Sequence, residues 1–312
     1  MKELHKIIRE VNSIGLEKQI KEMNKLGEVE KIERKESGLF DFLNIKKGQK
    51  VTTAFPPGPE KYPHIGHAKA LYLNYLLSKE YNGKFILRFE DTNPGLVESK
   101  YYKIMLDNFS WLGVKWDKLQ YASDHMDLFY KYAAQLMSKG NLYTCYCKKE
   151  DISKKRMEGI ECPCRKNKVS FQNFIKEKTG ILRLKGNMQH NNTTMRDPTM
   201  FRFVSSPHPR TGKKYSLWPT YDFQNAVMDG YFKIDFRLRS KEFELRGELQ
   251  NYIQSLLKLH KTKTYEFGRL NLLGVESSGR IIREKIKNHE LLGWDDPRLT
   301  TLVSLRRRGF LP

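Results

Sequence analysis

Apolar positions follow two rhythms along this chain. In residues 1–48 they are sparse and one-sided: Ile7, Ile8, Val11, Ile14 and Leu16 stand among charges at helical spacing, which predicts a helical segment with one sticky face. The polar stretch NIKKGQK, with Gly48, marks its end, so residues 1–48 are expected to form a helical N-terminal extension. From residue 50 the rhythm tightens. KVTTAF (50–55) predicts a short strand, a proline-stiffened loop follows, and a helix is expected over 65–81. KFILRFED (84–91) predicts a second strand, an apolar run with the β-branched Ile86 at its centre. Helices are expected over 96–113 and 124–139, the latter closed by Gly140. Strand, helix, strand with short links predicts an α/β fold with a parallel sheet, its first half covering 49–141. Between 142 and 215 short strands and turns take over, and all four cysteines fall here. That change predicts an inserted subdomain. SLWPTYDFQNAVMDG (216–230) then returns to a sheet-like segment and a helix, opening a second half over 216–265 and a closing segment over 266–312.

Charge adds a partner to this picture. The 312 residues carry 57 Lys and Arg against 36 Asp and Glu, a formal net charge of +21. A surplus of this size points to a polyanion, because each neutralised phosphate releases condensed counterions. Nucleic acid fits better than a membrane surface: no stretch reaches the roughly 18 uninterrupted apolar residues of a spanning helix. The opening MKELHKIIREVNSIG lacks the apolar core of a secretory signal, so a cytoplasmic location is expected.

The candidate chemistry begins in FPPGPEKYPHIGHAKALYLNY (55–75), where three prolines and a glycine lead into His64-Ile65-Gly66-His67 at a helix start. In a parallel α/β sheet, ligands sit at the carboxyl ends of the strands, where helix N-termini point free N–H groups. His64 and His67 are placed to line a phosphate channel, and Gly66 to let a flat base or sugar approach the backbone. The plainer alternative is two surface histidines capping a helix. A second candidate is the cysteine set. TCYCKKE and ECPCRK place Cys145, Cys147, Cys162 and Cys164 as two C-x-C pairs with fourteen residues between them. Four soft ligands in two tight pairs can close a tetrahedron around a structural zinc ion and hold a subdomain that lacks its own core. Two disulfides are the alternative; an intracellular setting disfavours them.

The string F-P-P-x-P-x-x-Y-x-H-I-G-H-A-K-A is followed by L-R-F-E-D-T-N-P and W-L-G-V-K-W-D, then by MRDPTMFRF (195–203), PHPRTGKKYSLWPTYDF (207–223), LRSKEFELR (238–246), FGRLNLLG (267–274) and GWDDPRL (293–299). In this colinear order the chain resembles the class I glutamyl-tRNA synthetases of the archaeal and eukaryotic branch, close kin of the glutaminyl enzymes, over about residues 50–310. The resemblance implies a Rossmann-type catalytic domain that joins glutamate to ATP, carried with Mg2+, as an adenylate and passes it to the tRNA 3′ end. It implies that His64, Gly66, His67 and Ser278 hold ATP, that Glu90 (with Asp91), Tyr221 and Arg239 line the amino-acid pocket, and that the cysteines belong to an acceptor-binding insertion in which Cys164 stands for a histidine. The resemblance implies that family members continue into anticodon-reading β-barrels, and from the residues up to Pro312 no such reader is expected here.

Three departures bear on activity. Ser278-Gly279-Arg280 stands where the family has Ser-Lys-Arg, so the lysine that stabilises departing pyrophosphate is missing and Arg280 sits one residue along. Ala54 stands where an arginine reaches the amino acid, and Gly58 and Lys61 replace a glutamate and a glycine in the proline loop. Loss of one transition-state donor typically costs about 3–4 kcal/mol, and loss of an arginine partner about 2–5 kcal/mol. Together these losses predict adenylate formation slowed by about four orders of magnitude or more, so a glutamyl-tRNA synthetase-like protein with weak or lost activity is expected. The alternatives are an inactive pseudo-synthetase that binds tRNA, another RNA or a protein partner through its N-terminal extension, and a ligase that adenylates a different acid.

Overall fold

The computed structural model describes residues 2–25, 38–270, 272, 274–276 and 278–312, for Lys2 and Arg280 the backbone alone. The chain divides into two compact units, Met1–Lys47 and Gly48–Pro312. In the first, α1 (Lys2–Ser13) and α2 (Leu16–Lys25) are helices. Their apolar positions, Ile7, Ile8 and Val11 among them, are exposed. Residues 26–37 of the expected extension lie outside the described residues.

The second unit runs β1 (Thr53–Phe55), α3 (Ile65–Glu80), β2 (Phe85–Phe89), α4 (Ser99–Trp111), β3 (Lys118–Tyr121) and α5 (Met126–Ser138). Next come β4 (Leu142–Cys145), α6 (Lys149–Glu158), α7 (Phe171–Glu177), β5 (Ile181–Leu184), β6 (Thr199–Phe203) and β7 (Leu217–Pro219). It closes with α8 (Tyr221–Tyr231), β8 (Phe236–Ser240), α9 (Glu244–Leu256), β9 (Lys263–Phe267), α10 (Gly279–Lys287) and α11 (Leu302–Arg307). Among the described residues these strands make two sheets. One has the order β3-β2-β1-β8-β9 with every pairing parallel. The other, β4-β5-β6-β7, is antiparallel.

The parallel sheet is the α/β arrangement that the strand-helix-strand rhythm predicts. All five side chains of β2 are buried, as a strand covered on both faces requires. On one face Phe55, Phe85, Leu87 and Phe89 pack with Leu71, Met105 and Phe109 from α3 and α4. On the other, Ala54 and Ile86 meet Ile234. The α3–β2 link is tight: a Cβ on Gly83 would lie 1.9 Å from the Val51 carbonyl oxygen, so no other residue fits. A second large core joins the antiparallel sheet to α5, α8 and α9 through Trp218, Phe201, Phe223 and Leu249.

The stretch 142–215, expected as short strands and turns, also carries the helices α6 and α7, and two strands sit where the sequence did not place them. Leu217–Pro219, read as a sheet-like segment opening the second half over 216–265, pairs with β6 of the antiparallel sheet, because Trp218 belongs to the core beneath that sheet. The strand at Lys118–Tyr121, which no apolar run announces, forms one edge of the parallel sheet beside β2. An edge strand is covered on fewer sides and needs fewer apolar residues.

Candidate active site

A cleft of about 640 Å³ opens at the carboxyl ends of β1 and β8. The proline loop, the start of α3, Glu90, Tyr221, the end of β8 and the start of α10 line it together. His64, Gly66, His67, Glu90, Tyr221, Arg239 and Ser278, each expected from sequence to serve a site, all fall on this one cavity. The side chain of Arg280 lies outside the described residues.

The two histidines form a reciprocal cap at the start of α3. His64 Nδ1 accepts the Gly66 N–H at 3.1 Å, and His67 Nδ1 accepts the His64 N–H at 3.2 Å. Each acceptor must be unprotonated, so the proton of each neutral ring sits on Nε2. Burial, with Lys61 and Arg269 nearby, lowers His64 to about 4; burial and the charges of His64 and Lys61 hold His67 well below its ordinary value. Both rings are therefore neutral single donors at pH 7. The cap also corrects the expectation of free helix amides. Ile65 N–H donates to Thr300 O at 3.2 Å and His67 N–H to His64 O at 2.8 Å, besides the Gly66 bond. The first turn has spent its donors internally, and only side chains remain to meet a phosphate. Gly66 is small for the same reason: a Cβ there would stand 2.9 Å from His64 Cε1.

Glu90 follows β2 and reaches the floor of the cleft. Burial raises its pKa to about 7 against the pull of Arg237 and Arg88, and its Oε1 has no hydrogen-bond partner. Asp91, read from sequence as its companion, is committed elsewhere. It accepts from Tyr102 Oη at 2.8 Å, from Ser123 N–H at 2.8 Å and from Ser123 Oγ at 2.7 Å, and it is fully buried. Its role is to fix the turn after β2. The Glu90 shift carries a stability consequence. Below the ordinary value of 4.5 the carboxyl is neutral in folded and unfolded chains alike. Between there and about 7 the folded chain keeps a proton that the unfolded chain has shed, so this contribution is full at low pH and fades as pH rises through about 7. Glu90→Gln, neutral throughout, is expected to melt above the wild type at pH 8 and level with it near pH 4.5, as read by thermal denaturation.

Tyr221 opens α8 and stacks on Phe243 with ring centroids 5.4 Å apart. Arg239 is engaged: its Nε and Nη2 reach Glu266 Oε1 at 3.3 and 3.2 Å, and its Nη1 donates to Gln250 at 2.9 Å. Two residues that the sequence reading set aside join the wall. Trp294 stacks on Tyr62 at 5.7 Å and 12°, and both line the cleft. Arg237 lies beneath it, 1 % exposed. The structure also brings two sequence departures together. A Cβ on Gly279 would meet Lys61 Cδ at 3.8 Å, and Ser278 beside it caps α10. Ala54 is wholly buried.

Away from the cleft, the four cysteines gather into one cluster with all thiol sulfurs within 4.8 Å of one another. None is in a disulfide. The contacts are 3.8 Å for Cys145–Cys162, 3.6 Å for Cys147–Cys162 and 3.7 Å for Cys147–Cys164. Four sulfurs about 2.3 Å from a zinc ion at tetrahedral angles stand about 3.8 Å apart, so the cluster fits that ion. Burial and the adjoining thiols push Cys147 up to about 12. Two of the basic residues are locally paired: Arg165 bonds Asp197 at 2.8 Å and Arg210 bonds Asp124 at 2.9 Å. None of the described helices is long and apolar enough to cross a membrane.

Residues 50–312 match the family described as tRNA synthetases class I (E and Q), catalytic domain. The chain is similar to a glutamate--tRNA ligase of Nitrosopumilus maritimus, 41% identical over 99% of this chain and 56% of that protein. It is likewise similar to the glutamate--tRNA ligase of Pyrococcus abyssi, 38% identical over 99% of this chain and 57% of that protein. The chain thus spans little more than half the length of these curated relatives. In fold it is similar to a crystal structure of a glutamate tRNA ligase from Elizabethkingia meningosepticum, with TM-score 0.57 and 19% identity over 77% of this chain and 53% of that one.

Proposed function

Because the chain belongs to the class I tRNA synthetase family specific for E and Q, as its catalytic domain, we propose that it activates glutamate with ATP and transfers it to a tRNA. The observation that carries this reading is one cleft lined both by neutral donor histidines and by Glu90, Tyr221 and Arg237. Such a cavity suits one molecule with a phosphate end and an amino-acid end.

In the reaction a carboxylate oxygen of glutamate attacks the α-phosphorus of ATP, the bond to the bridging oxygen breaks, and pyrophosphate leaves. Mg2+ arrives on the ATP phosphates as part of that substrate. His64 and His67 donate from Nε2 to phosphate oxygens. Being neutral, they add hydrogen bonds without needing to hold a proton against burial. Glu90, once ionised, pairs with the substrate ammonium. A terminal ribose hydroxyl of tRNA then attacks the activated carbonyl and AMP departs. The formal charge of +21 suits that polyanion.

Weak or lost activity is the expectation from the combined losses at Gly279 and Ala54. Lys61 supports a different reading at the phosphate end: its side chain lies across Gly279, within charge range of His64 and His67. The loop lysine then supplies the cation that α10 lacks. Glutamate-dependent exchange of labelled pyrophosphate into ATP tests the proposal. Exchange is expected with glutamate and not with aspartate. A purified, folded chain that binds ATP but exchanges with no amino acid would support the binding-only alternative instead.

A further inference from the structure

Among the described residues five cations line the cleft, and two of them, Lys69 and Arg239, are tied to partners of their own. Lys69 donates to the Gly268 carbonyl at 2.9 Å and covers the Phe267 ring. All three nitrogens of Arg239 are bonded to Glu266 and Gln250. Arg269 is exposed, and Lys61 lies at the Gly279 end. Arg237 is unlike these. It is fully buried, it pairs with Asp229 through one terminal nitrogen, and its Nε and Nη1 have no hydrogen-bond partner. Asp229 does not exhaust it, because that carboxylate is shared with Arg88 Nη2 at 2.8 Å. Two unmet donors of a buried guanidinium are costly unless something fills them.

The sheet explains the placement. β1 and β8 are parallel neighbours with Thr53 beside Phe236, so Ala54 and Arg237 are side by side and face the same way. Ala54 presents only a methyl group, packed on Ile86 and Ile234. An arginine at either position would serve the same floor, and this chain carries it on β8.

Resting on the proposed activation of glutamate, we infer that Arg237 binds the side-chain carboxylate of the amino-acid substrate and sets the preference for glutamate over glutamine. The unpaired donors meet a carboxylate but leave an amide nitrogen facing N–H groups, an arrangement in which donor opposes donor. A site built this way discriminates between two substrates of nearly equal size.

Binding titrations with non-hydrolysable glutamyl-sulfamoyl adenosine, its glutaminyl counterpart and ATP test the assignment in the whole chain. The wild type is expected to favour the glutamyl analogue at least 10-fold. Arg237→Lys keeps a charge for Asp229 but shortens the reach, and is expected to erase about 10-fold or more of that preference while ATP binding and melting stay near the wild type. Loss of the preference through a higher KM for glutamate, with kcat changed less, is the matching kinetic signature. If the wild type binds both analogues equally, the assignment falls without any variant. If the wild type prefers the glutamyl analogue and folded Arg237→Lys keeps the preference, this inference alone falls. Binding of neither analogue by the wild type overturns the proposed function itself.

Discussion

Lys61→Met is expected to slow glutamate-dependent ATP–pyrophosphate exchange by about 10²–10³-fold, the usual effect of removing one preorganised donor from a transition state. The expectation follows from position. Methionine preserves most of the aliphatic stem that lies on Gly279 and deletes the ammonium. The KM for glutamate is expected to change little, since Glu90, Tyr221 and Arg237 are untouched. Among the described residues of the cleft, Lys69 is tied to Gly268 and Arg239 to Glu266 and Gln250, so Lys61 and the exposed Arg269 are left to meet charge developing on the leaving pyrophosphate. A lysine introduced at 279 has room: the first atom its Cβ meets is Lys61 Cδ at an ordinary 3.8 Å. The double variant Lys61→Met with Gly279→Lys is therefore expected to recover most of the lost rate. Exchange by Lys61→Met at the wild-type rate would show that the loop lysine does not replace the missing one.

The larger effect in free energy is expected at the cysteines. We propose that Cys145, Cys147, Cys162 and Cys164 hold a structural zinc ion, and that Cys162→Ser or a strong chelator unfolds the segment between the two cysteine pairs, whose helix α6 buries no residue of its own. Structural zinc sites contribute about 10–16 kcal/mol of binding free energy at neutral pH. The local core offers little to replace it, for only Tyr143, Cys145 and Cys162 are buried in that cluster. Without a cation a thiolate at Cys147 is disfavoured: burial first, then the neighbouring sulfurs, raise it to about 12. Metal binding must therefore release protons and weaken as pH falls. Elemental analysis of the purified chain is expected to give one zinc per molecule, and chelation to lower the melting temperature and the salt-sensitive affinity for tRNA. A metal-free preparation with unchanged melting would remove the zinc from this account.

The amino-acid sequence by itself determined most of the elements and the parallel sheet they build. Apolar runs in KVTTAF and KFILRFED, with the helix between them, specify a parallel sheet, because a strand-helix-strand link of that length closes in no other common way. The His64-Ile65-Gly66-His67 step and the two C-x-C pairs were legible for the same reason: each is a local string whose residues act within a few positions of one another. The tertiary structure alone decided how distant residues share work. Lys61 and Gly279 are 218 positions apart by numbering, and only folding lays one across the other. Ala54 and Arg237 become neighbours through a sheet crossover that no local periodicity encodes. The commitments of Asp91 and Arg239 to internal partners were hidden likewise, since a charged residue in a motif looks the same whether its hydrogen bonds are free or filled. Residue type and spacing fix what a side chain is able to do; pairing across the fold fixes which of its donors and charges are left to do it.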